Sequence, residues 1–335
     1  MSTLLRALRF GALALLVLAT GARAQGLDAA VSHYNNAEFE AALALLEPLA
    51  ADASAGTDTR IEAYRYLSRA YIGMGRSEDA RTALDRLIAL EPPPVELDPN
   101  IEHPGLVDLY YEARLDHQGG YGIEHVDPGL KTLAVMDFTN TSVDRHEDFD
   151  PLRQGFASMM IHYLQGATGL KVVERERIQW LLNELEMQRD EGIVDPNSAV
   201  EAGRLLGVQA VLFGAFTAHG DQMWMSTRLV KVETGEILLA EQVFGEPDAF
   251  FELVEQLSTQ VASAIDVELD QDDMGERRET DSLDAMRAYS QGIALRETGD
   301  LEGAERKFAE ALQHDPDYAL AHQAQAGLRP YVAAR

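Results

Sequence analysis

A change of apolar period inside one short stretch restricts a fold severely. Residues 169–185, GLKVVERERIQWLLNEL, contain one. Leu170, Val172 and Val173 have the spacing of a short buried strand. Beyond Arg175 the apolar positions become Ile178, Leu181, Leu182 and Leu185, which is the i, i+3, i+4, i+7 pattern of one helix face. The charged knot Glu174-Arg175-Glu176-Arg177 marks the switch. Two readings stay open for it. It is a strand-to-helix joint whose acids favour the positive helix N-terminus by about 0.3–1 kcal/mol each, or Glu174 and Arg175 belong to a polar contact surface for another subunit or a partner.

The same alternation runs through residues 127–268. Leu133 to Phe138 reads as a strand, and Asp150-Pro151 offers a helix cap followed by proline at the first helical position. Leu152, Phe156, Met159, Met160 and Tyr163 make a helix stripe that stops at Gly166 and Gly169. Asp195-Pro196 repeats the start signal, and Gly207 is placed as a left-handed stop. Strands over 210–216, 223–232 and 237–244 follow, the last two joined by Glu233-Thr234-Gly235-Glu236, and a helix from Asp248 to Val267 closes the segment. Strand-helix-strand order gives parallel pairing with right-handed crossovers, and the hairpin makes the sheet mixed. The expected fold class is α/β, a mixed sheet of about five strands with packed helices.

Helical flanks enclose this domain: residues 25–118 before it, and 282–335 after an acidic linker at 269–281. Counting back from Pro92, the positions Tyr71, Gly75, Ala80, Leu84 and Leu87 form a ladder. Counting back from Pro316, Gly292, Leu295, Gly299, Ala304, Phe308 and Ala311 repeat it, and Phe39, Ala42, Leu46 and Leu49 make a looser copy. The spacing resembles the tetratricopeptide repeat, whose small residues let two helices approach closely. One such unit cannot bury its own apolar face. The lone C-terminal copy therefore has to pack on the central domain, the N-terminal copies, another subunit or a partner. By register the concave face presents Arg65, Arg69 and Ile72 in one copy and Tyr289, Ile293 and Arg296 in the last. Such a face suits an acidic peptide; the alternative is that these side chains form salt bridges with neighbouring helices.

Residues 1–24 read as a secretory leader: Arg6 and Arg9, an apolar run to Thr20, and Ala22-Arg23-Ala24 as the cleavage signal. There is no cysteine, which removes disulfides, thiol nucleophiles and thiolate metal sites. With 56 acidic against 28 basic residues the net charge is −28, a field that repels nucleic-acid phosphate.

Three passages together resemble the CsgG family of curli-secretion and outer-membrane assembly proteins. They are LAVMDFTNTS (133–142), the stretch from Leu170 to Phe216, and RLVKVETGEILLAEQVFG (228–245). The resemblance implies a periplasmic α/β fold and a tendency to self-associate. The chain departs from the best-known members, which are lipid-anchored and insert barrel hairpins. It lacks the lipid-accepting cysteine, and its joints at 166–169 and 188–194 are shorter than a pair of membrane strands of about 9–11 residues each.

Chemistry leaves few marks. The loop Asn140-Thr141-Ser142-Val143-Asp144 follows the first strand, where open α/β sheets bind ligands, but lacks phosphate-loop glycines. His146, Glu147, Asp148 and Asp150 could hold a metal but follow neither an EF-hand nor a zinc spacing, and read as a solvated acidic loop. No catalytic motif, cofactor site or metal site is expected. The expected function is a non-enzymatic periplasmic scaffold for protein interaction and assembly. The alternative is the soluble ring component of an outer-membrane secretion channel related to curli export. Expected partners are periplasmic proteins or peptides and further copies in a ring. Nucleic acid is not expected, nor a direct transmembrane segment, and any outer-membrane association would be peripheral.

Overall fold

The computed structural model describes residues 25–90, 97–98, 101–119, 131–143, 146–173, 175–184, 196–269 and 279–334. The leader, Glu174, the joint at 188–194 with Asp195, and most of the acidic linker lie outside the described residues. The chain divides into two compact units, Met1–His117 with Ala326–Arg335, and Gln118–Gln325.

The larger unit is built on a six-stranded mixed sheet: β1 (Lys131–Val135), β2 (Thr139–Asn140), β3 (Leu170–Val173), β4 (Ala210–His219), β5 (Gln222–Lys231) and β6 (Ile237–Gly245). The order is β3-β1-β4-β5-β6, with β2 beside β4. β1 runs parallel to β3 and β4, and β4, β5 and β6 are antiparallel neighbours. Five strands agree with the periodicity. The two-residue β2 does not show in it, because Thr139 and Asn140 carry loop chemistry and are held by pairing with Ala215 and Phe216.

Helices α6 (His146–Phe149), α7 (Leu152–Leu164), α8 (Arg175–Glu184), α9 (Pro196–Leu206) and α10 (Phe250–Ala264) surround the sheet. α7 and α10 cover one face, where Phe156, Met160, Val254 and Leu257 meet Leu133, Leu212, Met225 and Leu229. α8 and α9 cover the other, where Ile178, Leu181, Leu182 and Leu206 meet Ala134, Val173 and Val211. The crossovers from β1 to β3 and from β3 to β4 thus lie on opposite faces. Alternation along β4 follows from this: Leu212, Phe216 and Ala218 are buried on the first face, while Phe213 packs against the second core.

Phe138 fills the space left by Gly214 and meets Phe156 edge-on at 6.0 Å. A Cβ at Gly214 would stand 2.5 Å from that ring. The ring cannot withdraw, because Phe156 is itself packed edge-on against Phe216 at 5.0 Å. Gly214→Ala is expected to lose about 1–3 kcal/mol by overpacking, read by urea denaturation.

Two further helices complete this unit, α11 (Leu283–Glu297) and α12 (Leu301–His314). Ser282 caps α11 by accepting from the Ala285 N–H at 3.1 Å, and Asp300 caps α12 by accepting from the Gly303 N–H at 2.8 Å. Gly299, at φ +82°, makes the left-handed turn between them. Gly292 lets the Phe308 ring lie against its backbone, since a Cβ there would stand 2.6 Å from Cδ1. The pair packs on α7 through Met286 and Ser290, which meet Gly155. The C-terminal copy therefore uses the sheet domain as its support.

The smaller unit holds α1 (residues 25–35), α2 (Phe39–Ala51), α3 (Thr57–Gly73), α4 (Ser77–Ile88), α5 (Pro104–Gln118) and the end of α13 (Ala319–Ala333). α3 packs on both α2 and α4. Gly73 admits the Phe39 ring, which a Cβ would meet at 2.6 Å. Tyr34 gathers Phe39, Tyr66 and Tyr331 around it at 5.3–6.3 Å. Phe39, Ala42, Leu46, Tyr71, Ala80, Leu84 and Leu87 are all buried.

Candidate functional site

Arg175 opens α8 directly after β3, so its guanidinium reaches the carboxyl edge of the sheet. There it is 2% exposed. Nη1 donates to Asp137 Oδ1 at 3.2 Å, just beyond β1, and Nη2 donates to Glu297 at the end of α11. The other Glu297 oxygen accepts from Gln154 Nε2 at 2.7 Å. Arg153 and Phe138 exchange bonds: the Phe138 N–H donates to the Arg153 carbonyl and Arg153 Nε to the Phe138 carbonyl, both at 3.1 Å. Strand end, α7, α8 and α11 therefore meet in one polar knot. An isolated charge inside a protein is strongly unfavourable, and these two carboxylates help to offset the burial of the guanidinium.

Beside the knot lies a cavity of about 450 Å³, lined by Asp137, Asp150, Arg153, Gln154, Gln291 and Lys307 among others. It sits where the β1 and β3 connections leave on opposite faces, the usual ligand crevice of an open α/β sheet. Its lining offers carboxylates, amides and cations without hydroxyl, thiol or imidazole. Such a set can hold a small polar molecule by hydrogen bonds and charge.

The expected candidates distribute as follows. Arg175 is the centre of the knot, and Glu174 lies outside the described residues. Arg65 donates to Glu62 one helical turn away at 2.6 Å. Arg69 donates to both oxygens of the buried Glu102, and its guanidinium stacks 4.8 Å from the Tyr66 ring. Burial works against that charge, but the hydrogen bond and charge of Glu102 outweigh it, so the Arg69 pKa is raised. Tyr289 and Arg296 are each 2% exposed, with Tyr289 between Phe308 and Tyr318 at 5.6 and 5.0 Å. Arg65 is thus paired within α3 itself, and Arg69 with Glu102 in the segment just before α5. Replacing Glu102 by Gln should weaken the Arg69 clamp and destabilise the helical unit by about 3 kcal/mol or more in thermal denaturation, with Arg69→Met/Glu102→Leu recovering most of it.

The loop after β1 spends its polar groups on folding. Asn140 Oδ1 accepts from the Ser142 N–H at 3.0 Å, Asn140 Nδ2 donates to the His146 carbonyl at 3.0 Å, and Ser142 Oγ accepts from the Ala218 N–H at 2.8 Å. His146 and Asp150 stand 4.0 Å apart, and among the described residues no three His, Asp or Glu side chains group as a metal site. Asp137, Glu297 and Gln154 gave no sign in the sequence, since Arg175 meets its partners across 38 and 122 positions. The available signal was the need of any buried arginine for counter-ions.

Residues 128–227 match the family described as curli production assembly/transport component CsgG. The sheet-edge knot lies largely inside a CsgG-type domain. The match takes in the first two quoted passages and stops within β5, short of Gly245. No curated protein matches the chain. Among solved structures, lipoprotein GNA1162 from Neisseria meningitidis is 17% identical, with 39% of this chain and 96% of that one covered, at a TM-score of 0.30. The LpoB C-terminal domain from Salmonella enterica is 19% identical, with 45% and 99% covered, at 0.26. The LpoB C-terminal domain from Escherichia coli is 14% identical, with 45% and 99% covered, at 0.27. Among the described residues no helix is long and apolar enough to cross a membrane.

Proposed function

We propose that this chain is a non-enzymatic assembly scaffold of the cell envelope, exported to the periplasm by its leader. In this reading a CsgG-type domain, flanked by tetratricopeptide-like helices, binds other polypeptides. One observation carries the reading: α11 is fixed to α7 by the Gly155 contact and to α8 by the ion pair of Arg175 and Glu297, and α12 packs on α11. In this reading the repeat-type hairpin, packed on α7 of the CsgG-type domain, presents a partner to that domain. The family description, an assembly and transport component, supports the envelope setting.

Chemical cross-linking in intact cells, followed by osmotic-shock fractionation and light scattering of the purified chain, tests this. The expected outcome is release with the periplasmic fraction and discrete adducts with other polypeptides or further copies. A strict monomer without adducts, or ion conductance by the purified chain alone, would overturn it.

A further inference from the structure

β6 ends the sheet, and among the described residues no strand pairs with its outer side. Half of its backbone N–H and C=O groups therefore face outward. Long edge strands are usually protected by charge or proline, yet the only charged residue in β6 is Glu241. α10 packs under β5 and β6, while α8 and α9 belong to the core around Ala134, Val173 and Val211. On β5, buried Met223, Met225 and Thr227 alternate with Trp224, Ser226 and Arg228, which point to the face opposite α10. The register sets Phe244 beside Trp224, Gln242 beside Ser226 and Ala240 beside Arg228. Phe244 is 71% exposed.

Charge singles this face out. In a chain of net charge −28, these six neighbouring positions hold no acid, and Arg228 is exposed with no hydrogen bond or ion pair among the described residues. Ala240 is small, so the Arg228 side chain can pass over it towards a strand lying about 4.8 Å beyond β6. Four residues along, Trp224 and Phe244 offer an apolar ledge to the same strand.

We propose that the outer edge of β6 pairs with an extended segment of a partner polypeptide carrying a carboxylate and an apolar side chain four residues apart. This deepens the scaffold reading and rests on it. The carboxylate meets Arg228, the apolar side chain lies on Trp224 and Phe244, and side chains four apart in a strand share one face in either chain direction. Main-chain bonds supply affinity and the two side chains supply selectivity. A second copy fits less well: its own β6 offers Ala240, Gln242 and Phe244 on this face and no acid for Arg228.

The test titrates the full purified chain with fluorescent decapeptides bearing Asp and Phe four residues apart, in both orders. Controls carry Asn for Asp, or a spacing of three. One or both four-spaced peptides should bind about tenfold or more tightly than either control. Arg228→Glu and Phe244→Ser should each remove most of that difference, with thermal unfolding unchanged because both side chains are exposed. Equal binding of four-spaced and control peptides would overturn the assignment. So would concentration-dependent dimerisation that Phe244→Ser abolishes, which would give the edge to a second copy. If envelope adducts form and persist in Phe244→Ser while the peptides fail, the edge assignment falls and the scaffold reading stands.

Discussion

Removing both carboxylates that face Arg175, in Asp137→Ala/Glu297→Ala, is expected to cost about 3–5 kcal/mol of unfolding free energy. The guanidinium is 2% exposed and would lose its ion pairs with Asp137 and Glu297. Each single substitution should cost less, because the other carboxylate stays in reach. The reasoning also predicts a recovery. Arg175→Met/Asp137→Asn/Glu297→Gln removes the charges together and should return to within about 1–2 kcal/mol of the parent, since desolvation of a buried pair largely cancels its attraction. Urea denaturation of the parent and the four variants measures this. A double variant as stable as the parent would show that the knot carries no stability.

Gly155→Leu is expected to separate the α11–α12 hairpin from the sheet. The position lies inside α7, where glycine costs about 1 kcal/mol against alanine, and close helix approach is the return for it. A Cβ there would stand 2.9 Å from Met286 Cε and closer to Ser290 Oγ, whose hydroxyl is already donating to the Met286 carbonyl at 2.8 Å. Leucine adds three more carbons to that clash. The expected loss is about 1–3 kcal/mol or more, and calorimetry should show one transition becoming two as the hairpin melts first. A single transition at the parent temperature would contradict the packing.

Much of the sheet was legible because its strands and helices keep their own apolar periods. Leu170 to Val173 and the stripe after Arg175 fall where the change of period puts them, and Glu233 to Glu236 joins the β5–β6 hairpin. β2 was not legible, since two polar residues have no period and owe their pairing to β4. Arg175 illustrates a second limit. Four charged residues in a row do not say which will be buried, and its partners are brought to it only by the completed fold. Tyr289 illustrates a third. Repeat register placed it on a concave face, but that inference assumes neighbouring repeats; here the hairpin stands on α7 and encloses Tyr289 with Phe308 and Tyr318. Gly155, inside the α7 stripe but not part of its pattern, is where α11 comes closest, and the sequence left that support open among four choices.

Native-state hydrogen exchange on the unmodified chain tests the central claim most directly: that the C-terminal hairpin and the CsgG-type sheet are one cooperative unit. The amides of α11 and α12 are predicted to exchange with the same opening free energy as those of α7 and β1. Hairpin amides that open at clearly lower free energy, while α7 and β1 stay protected, would contradict it.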